Sequence, residues 1–372
     1  MADFHQNGTI TTLQKLGDRS LASLEEELSR FAKHHGMVLL LPALYSEFDT
    51  PAMTTILKEL RHVTYLKKII LGLDCADAAQ FADVKARMRH LNVPVDVVWN
   101  DGPRIQALYK TLKREGFHGL DIPGKGRNVW TMIGYGMTDK DNYAFALHDC
   151  DIVNYSREVV ARLFYPIIHP ALDLEFNKGY YSRVTDRLHG RATRLFLTPF
   201  LAAIEKTLGP HSYLEYLKSF RYILSGEFAF VRSLARGIRI SPTWGLEVAT
   251  LSEVFDNTSS KRICQSEIME TYEHKHQSLG SKKEGGGIVK MANEIAQIVF
   301  RTLAQKGMVF TEATFQTIIA SYFLESRNTI LKYNALSKLN GLTYVREEEI
   351  SAVEAFEHSL KEAAQVFLKD PM

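Results

Sequence analysis

The stretch Tyr143-Ala144-Phe145-Ala146-Leu147-His148-Asp149-Cys150-Asp151 limits the fold more than any other part of the chain. Its first five residues carry no charge and are apolar on both parities, which suits a strand buried on both faces of a helix-covered parallel sheet. The run then breaks abruptly into two carboxylates one residue apart. In an open α/β sheet such groups emerge at the carboxyl end of the strand, where these folds bind ligands. An Asp-x-Asp there offers oxygen ligands to a hard divalent cation that can also bridge phosphate oxygens. Taken alone, the motif equally describes a solvated, Asp-rich turn at a strand end.

The segments before it repeat the alternation that a parallel sheet requires. Leu13, Leu16, Leu21, Leu24, Leu28 and Phe31 recur at helical spacing over Leu13 to Lys33. A strand Met37-Val38-Leu39-Leu40-Leu41 is expected to stop at Pro42, with a loop to Glu47 and a helix from Met53 to Leu60. Ile69–Leu73 reads as a second strand ending at Asp74, Gln80–Leu91 as a helix and Val95–Val98 as a third strand. Downstream, Leu172-Asp173-Leu174-Glu175-Phe176 alternates like a half-buried strand, and Gly190 opens a helix to about Leu208. Ser225–Phe230 breaks the next apolar region, and Ile263–Tyr272 alternates imperfectly before His274-Lys275-His276. Ser278–Gly287 is rich in Gly, Ser and Lys and marks a boundary, beyond which the chain reads as amphipathic helix almost to its end. The expected organisation is a helical segment over 1–35, an α/β domain over 36–280 and a helical region over 281–372. The last of these is a candidate for covering a cleft or building a homodimer.

Composition narrows the partners. A formal charge of +2 over 372 residues is too small for a nucleic-acid or membrane-surface protein. Three widely spaced cysteines, Cys75, Cys150 and Cys264, give neither a disulfide framework nor a paired metal site and suit a reducing cytoplasm. The first residues lack a signal-peptide pattern, and no apolar run is long enough for a bilayer.

Several local patterns carry chemistry. Gly119-x-x-x-x-Gly124-Lys125 resembles a phosphate-binding loop, but Gly126 stands where a hydroxyl should reach magnesium and no apolar strand precedes it. What remains is a Gly-Lys-Gly turn able to approach a diphosphate closely. His274 and His276 fall on one side of an extended segment, and one of them can join Asp149 and Asp151 around Mg²⁺ or Mn²⁺. Arg191 and Thr193, at a helix start after Gly190, suit a phosphate or carboxylate. Glu227 is a carboxylate in an apolar setting, open to a raised pKa or to a sugar-hydroxyl contact. Each also has a plainer reading as a surface or turn residue.

The ordered series is more specific than any member. Pro42-Ala43-Leu44 with Glu47, Pro123-Gly124-Lys125-Gly126, Asp149-Cys150-Asp151, Gly190-Arg191-Ala192-Thr193, Gly226-Glu227, Gly245-Leu246-Glu247 and His274-Lys275-His276 together resemble the glucosyl-3-phosphoglycerate synthase family. These are retaining, nucleotide-sugar-dependent glycosyltransferases with a GT-A fold, a Rossmann-like, mostly parallel sheet flanked by helices. The resemblance implies that Pro42, Ala43, Leu44 and Glu47 hold the uridine and ribose, and that Lys125 and Asp149 contact the donor. It implies metal binding by Asp151 with His274, His276 being the second candidate, and acceptor binding by Gly190, Arg191 and Thr193. Glu227 would lie by the transferring sugar, and Asp151 and Glu227 are the residues expected to act in catalysis.

Tyr45-Ser46-Glu47 departs from the family's usual Asn-Glu, His274-Lys275-His276 from His-Arg-Asn, and Tyr272 stands where an acceptor-holding Arg is usual. The expected reaction is metal-dependent transfer of a hexose, glucose from UDP-glucose, to a small phosphorylated acid such as 3-phosphoglycerate. The competing readings are a GDP-mannose-dependent mannosyltransferase and a non-catalytic sugar-nucleotide-binding protein.

Overall fold

The computed structural model describes residues 6, 8–120, 123–271 and 287–371. Its strands are β1 (Thr11–Leu13), β2 (Gly36–Leu44), β3 (Lys68–Asp74), β4 (Val95–Trp99), β5 (Asn142–Leu147), β6 (Phe176–Ser182), β7 (Phe228–Val231) and β8 (Ile263–Thr271). Its helices are α1 (Leu21–Phe31), α2 (Pro51–Leu60), α3 (Ala78–Met88), α4 (Pro103–Arg114), α5 (Lys125–Met137), α6 (Glu158–Ile168), α7 (Thr198–Leu208), α8 (Ser212–Ser219), α9 (Arg232–Gly237), α10 (Leu246–Asn257), α11 (Ile288–Gln305), α12 (Glu312–Leu339) and α13 (Arg346–Lys369). The chain divides into two compact units. The first comprises Met1–Ser182, Ser225–Leu246 and Glu253–Lys275, the second Arg183–Leu224, Glu247–Ser252 and His276–Met372. The boundary expected at residue 280 lies outside the described residues.

Among the described residues the first unit holds one sheet, of strand order β1-β8-β6-β7-β5-β2-β3-β4. Every neighbouring pair is parallel except the two made by β7, which runs antiparallel to β5 and β6. Met37 through Leu41 of β2 and Ala144 through Leu147 of β5 are wholly buried, as strands covered on both faces must be. Register decides what meets at the sheet edge. Leu44 pairs with Asp74, so β2 and β3 end level. Leu147 pairs with Phe228, so the reversed β7 brings its start beside the end of β5. Glu227, one residue before β7, therefore enters at the edge where Asp149 leaves. Ser182 pairs with Thr271, so β6 and β8 end there too.

The second unit is helical. A wide π turn at Ala192–Leu197 runs directly into α7, which packs on α12, while α11 packs on α13. Phe300 sits edge-on to Phe315 at 4.8 Å and to Phe310 at 5.4 Å, and Phe367 closes the same cluster. Tyr322 donates its hydroxyl to the Leu195 carbonyl at 2.8 Å, satisfying one of the carbonyls that the wide turn frees.

Four expectations from sequence are corrected. β2 continues through Pro42 to Leu44, because β5 has ended its pairing at Leu40 and residues 42–44 bond to β3 alone, where a missing N–H is tolerated. The helix expected from Leu13 begins only at Leu21, capped by Ser20, and Thr11–Leu13 is instead a strand edge on β8. Leu172–Glu175 is a turn whose Asp173 and Glu175 hold Arg262, and the strand starts where it was expected to end, at Phe176. The Ser225–Phe230 break contains a buried strand, β7.

Candidate active site

The carboxyl edge of the sheet gathers most of the first unit's expected residues. Lys125, the first residue of α5, places Nζ 2.6 Å from Asp149 Oδ1. The Ser225–Glu227 segment passes so close that a β-carbon at Gly226 would lie 2.5 Å from Asp149 Oδ2 and 2.7 Å from Lys125 Nζ. Only glycine lets the backbone approach the pair this closely. From β2, the turn Tyr45–Asp49 bends Glu47 back so that its carboxylate accepts the Leu44 N–H at 3.0 Å.

The electrostatics of this edge are lopsided. Burial pushes the Asp151 carboxyl up to about 7, with the Asp149 and Glu227 charges adding and Lys125 opposing. Burial, then Asp151 and Asp149, likewise raise Glu47 to about 7 against the Leu44 hydrogen bond and Lys125. Glu47, Asp149 and Asp151 thus lie in the field of Lys125, and Glu227 is close enough to add its charge to Asp151. Their oxygens are the donor set a hard divalent cation prefers, and added positive charge would relieve their repulsion. Among the described residues no three His, Cys, Asp or Glu side chains are arranged to hold a metal by themselves. His274 and His276 lie outside the described residues. Thr271, three positions before His274, accepts a hydrogen bond from Asn154 Nδ2 at 2.8 Å, which ties the end of β8 to the loop after Asp151.

Several supporting groups escaped the sequence reading. His148 is fully buried, with Nδ1 2.9 Å from the Asp149 carbonyl and Nε2 3.1 Å from the Tyr155 hydroxyl. The carbonyl can only accept, so Nδ1 carries the proton and Nε2 accepts from Tyr155. Burial lowers the His148 pKa to about 4, leaving a neutral strut under the acidic turn. Glu227, also fully buried, accepts from Tyr181 Oη at 2.7 Å and Ser225 Oγ at 2.9 Å. Lys178, 1% exposed, donates to the Ser225 carbonyl at 2.5 Å. Asp74 and Arg127 form a buried pair at 3.0 Å, where desolvation still raises the Asp74 pKa. The one available signal is Asp74, an acid that ends β3 much as Asp149 follows the end of β5. A separate cavity lined by His35, Tyr143, Glu175 and Arg262 opens at the amino ends of these strands and contains none of these carboxylates.

In the second unit Gly190 adopts φ +74°, a left-handed conformation that favours glycine, and starts the turn carrying Arg191 and Thr193. The Thr193 hydroxyl is buried without a hydrogen-bond partner among the described residues. Arg191 is engaged by α13, its Nε 2.9 Å from Glu349 and Nη2 2.5 Å from Glu348.

A parallel sheet interrupted by one reversed strand, with paired carboxylates just past its central strand, is the arrangement of GT-A-type glycosyltransferases. A glucosyl-3-phosphoglycerate synthase from Persephonella marina is 59% identical over 372 residues, all of this chain and 92% of that protein. One from Methanococcoides burtonii is 36% identical over 337 residues, 90% of this chain and 82% of its own. The chain belongs to the glucosyl-3-phosphoglycerate synthase family. Its fold is shared with a glucosyl-3-phosphoglycerate synthase from Mycobacterium tuberculosis solved with Mn²⁺, UDP-glucose and phosphoglyceric acid, at a TM-score of 0.55 and 20% identity over 81% of this chain and 89% of that one. No profile of a known protein family matches the chain. No described helix is long and apolar enough to cross a membrane.

Proposed function

We propose that this enzyme transfers glucose from UDP-glucose to the free hydroxyl of 3-phosphoglycerate with retention of configuration, aided by Mg²⁺ or Mn²⁺. The observation that carries the proposal is the crowd of carboxylates at the end of β5, with Asp151 and Glu47 raised to about 7 by burial and by the charge of neighbouring carboxylates. Asp151 and Asp149 fit such an ion, with His274 or His276 supplying the nitrogen that the described residues lack. When bound, the ion neutralises charge on the departing diphosphate. The relatives named above point the same way, since the Mycobacterium tuberculosis protein was solved with donor, acceptor and Mn²⁺ together.

The chain's own residues do the remaining work. Pro42, Ala43 and Leu44, the last residues of β2, with Glu47 fixing the Leu44 N–H, hold the uridine at the sheet edge. Lys125 sets Asp149 for the ribose or sugar and adds positive charge beside the diphosphate. Glu227, oriented by Tyr181 and Ser225, serves as a hydrogen-bond acceptor for a sugar hydroxyl rather than as a nucleophile. The acceptor oxygen attacks from the leaving-group side, and its proton passes to the departing diphosphate oxygen. Gly190, Arg191 and Thr193 hold the acceptor's anionic groups, and the buried Thr193 hydroxyl is a donor awaiting a partner. Cys75, Cys150 and Cys264 are free thiols, which suits work in the cytoplasm.

A donor panel tests this reading. Nucleotide release with 3-phosphoglycerate is measured for UDP-glucose, ADP-glucose, GDP-glucose and GDP-mannose. UDP-glucose should turn over fastest. Preference for GDP-mannose would make the enzyme a mannosyltransferase, and calorimetric binding without turnover of any donor would reject the enzymatic assignment.

A further inference from the structure

Arg191 does not meet its surroundings as an open cation. Its Nε lies 2.9 Å from Glu349 Oε1, and its Nη2 lies 2.5 Å from Glu348 Oε2. Arg194, one helical step on, grips Glu349 through Nη1 at 2.7 Å and Nη2 at 3.3 Å. Two guanidiniums and two carboxylates sum to zero, so the cluster as it stands offers a phosphorylated acid no net attraction.

The two glutamates are not equivalent. The Glu349 side chain is 5% exposed and shared by both arginines, whereas that of Glu348 is 46% exposed and, among the described residues, forms an ion pair with Arg191 alone. The segment on which the arginines stand is itself pinned to the chain leading into α13. Thr343 donates its N–H to the Asp186 carbonyl at 2.8 Å, and Arg194 stacks over Tyr333 at 4.8 Å.

We propose that Glu349 is the fixed anchor of Arg191 and that Glu348 is an internal, exchangeable anion, which the acceptor displaces when its own phosphate or carboxylate takes the guanidinium. The C-terminal helix thereby sets acceptor affinity. This rests on the assignment of Arg191 to the acceptor site. In the empty enzyme Glu348 satisfies the fork that Arg191 presents. A phosphate dianion replaces it because it brings more charge and more acceptor oxygens than one carboxylate. The exposure of Glu348 keeps the exchange cheap, since partly solvated ion pairs are weak.

Glu348→Gln and Glu348→Ala test this, with Arg191→Lys beside them. Both Glu348 variants should lower the KM for 3-phosphoglycerate about two- to fivefold, the range expected for losing one exposed competing pair, with the change falling in KM rather than kcat. Inhibition by inorganic phosphate, which carries no hydroxyl to glycosylate, should tighten by the same factor. Arg191→Lys should raise the acceptor KM at least about tenfold and leave the donor KM alone, because lysine cannot present a fork. If Arg191→Lys behaves so while both Glu348 variants leave the KM unmoved or raised, the exchange is refuted and the acceptor assignment stands. If Arg191→Lys itself spares the acceptor KM, the acceptor assignment falls and the exchange with it.

Discussion

Replacing Gly226 by alanine perturbs the site with little effect elsewhere. The new β-carbon would lie 2.5 Å from Asp149 Oδ2 and 2.7 Å from Lys125 Nζ, where ordinary contact begins at 3.4 Å. The added methyl therefore forces the 2.6 Å Lys125–Asp149 pair to shift by roughly 1 Å. Those side chains are 32% and 31% exposed, so loosening their ion pair costs the fold no more than about 1 kcal/mol. Groups that orient a substrate are far less forgiving, and a displacement of about 1 Å can reduce turnover on the order of 100-fold. Thermal unfolding of Gly226→Ala should therefore stay close to that of the wild type, while kcat/KM for UDP-glucose, read by coupled UDP release, falls about 100-fold. A variant that melts normally and keeps activity within about threefold of wild type would refute the claim that this ion pair positions the donor.

Other perturbations reach the same structure from different sides. Because Asp151 titrates near 7, a cation must displace its proton at acidic pH, so Mn²⁺ affinity measured by calorimetry should weaken about tenfold from about pH 8 to about pH 6. The same sign makes metal-free stability fall as pH rises through Asp151 and Glu47, since ionising them in the folded protein is unfavourable, and Mn²⁺ affinity that ignores pH would contradict this. Lys178→Met strips the Ser225 carbonyl of its donor, costing about 1–3 kcal/mol, but removes a buried ammonium whose desolvation opposes folding. It should melt within a few degrees of wild type while kcat drops about tenfold, and an unchanged kcat would show that Lys178 does not position the Ser225–Glu227 segment. Phe300→Ala should lower stability in denaturant titration by about 3–5 kcal/mol, because Phe300 is 1% exposed within an aromatic cluster, and a loss below about 1 kcal/mol would mean the helical unit is loosely packed there.

The parts legible in the sequence are those written in short windows. β2, β3 and β5 announce themselves as apolar runs, and Asp149 and Asp151 stand out because they interrupt one. β7 was hidden because four buried residues after Gly226-Glu227 have no periodicity, and its reversal depends on partners far away in the chain. β1 is three residues long and exists through its pairing with β8, some 250 residues downstream. Glu227 drew notice as a lone carboxylate, but its setting by Tyr181 and Ser225 required the register of β6 against β7. The partners of Arg191 could not be read at all, since Glu348 and Glu349 follow 157 and 158 residues later on an ordinary acidic helix start. Long-range polar pairs leave no local pattern, and apolar strands do.

The central claim is that a divalent ion at Asp149 and Asp151 lets this enzyme release UDP from UDP-glucose when 3-phosphoglycerate is present. The most direct measurement follows UDP release by the wild type and by Asp151→Asn, each stripped with chelator and then titrated with Mg²⁺ or Mn²⁺. The account predicts no release from stripped wild type, full recovery on metal addition and a loss in Asp151→Asn that excess metal does not restore. Equal release with and without chelator, or wild-type turnover by Asp151→Asn, would contradict it.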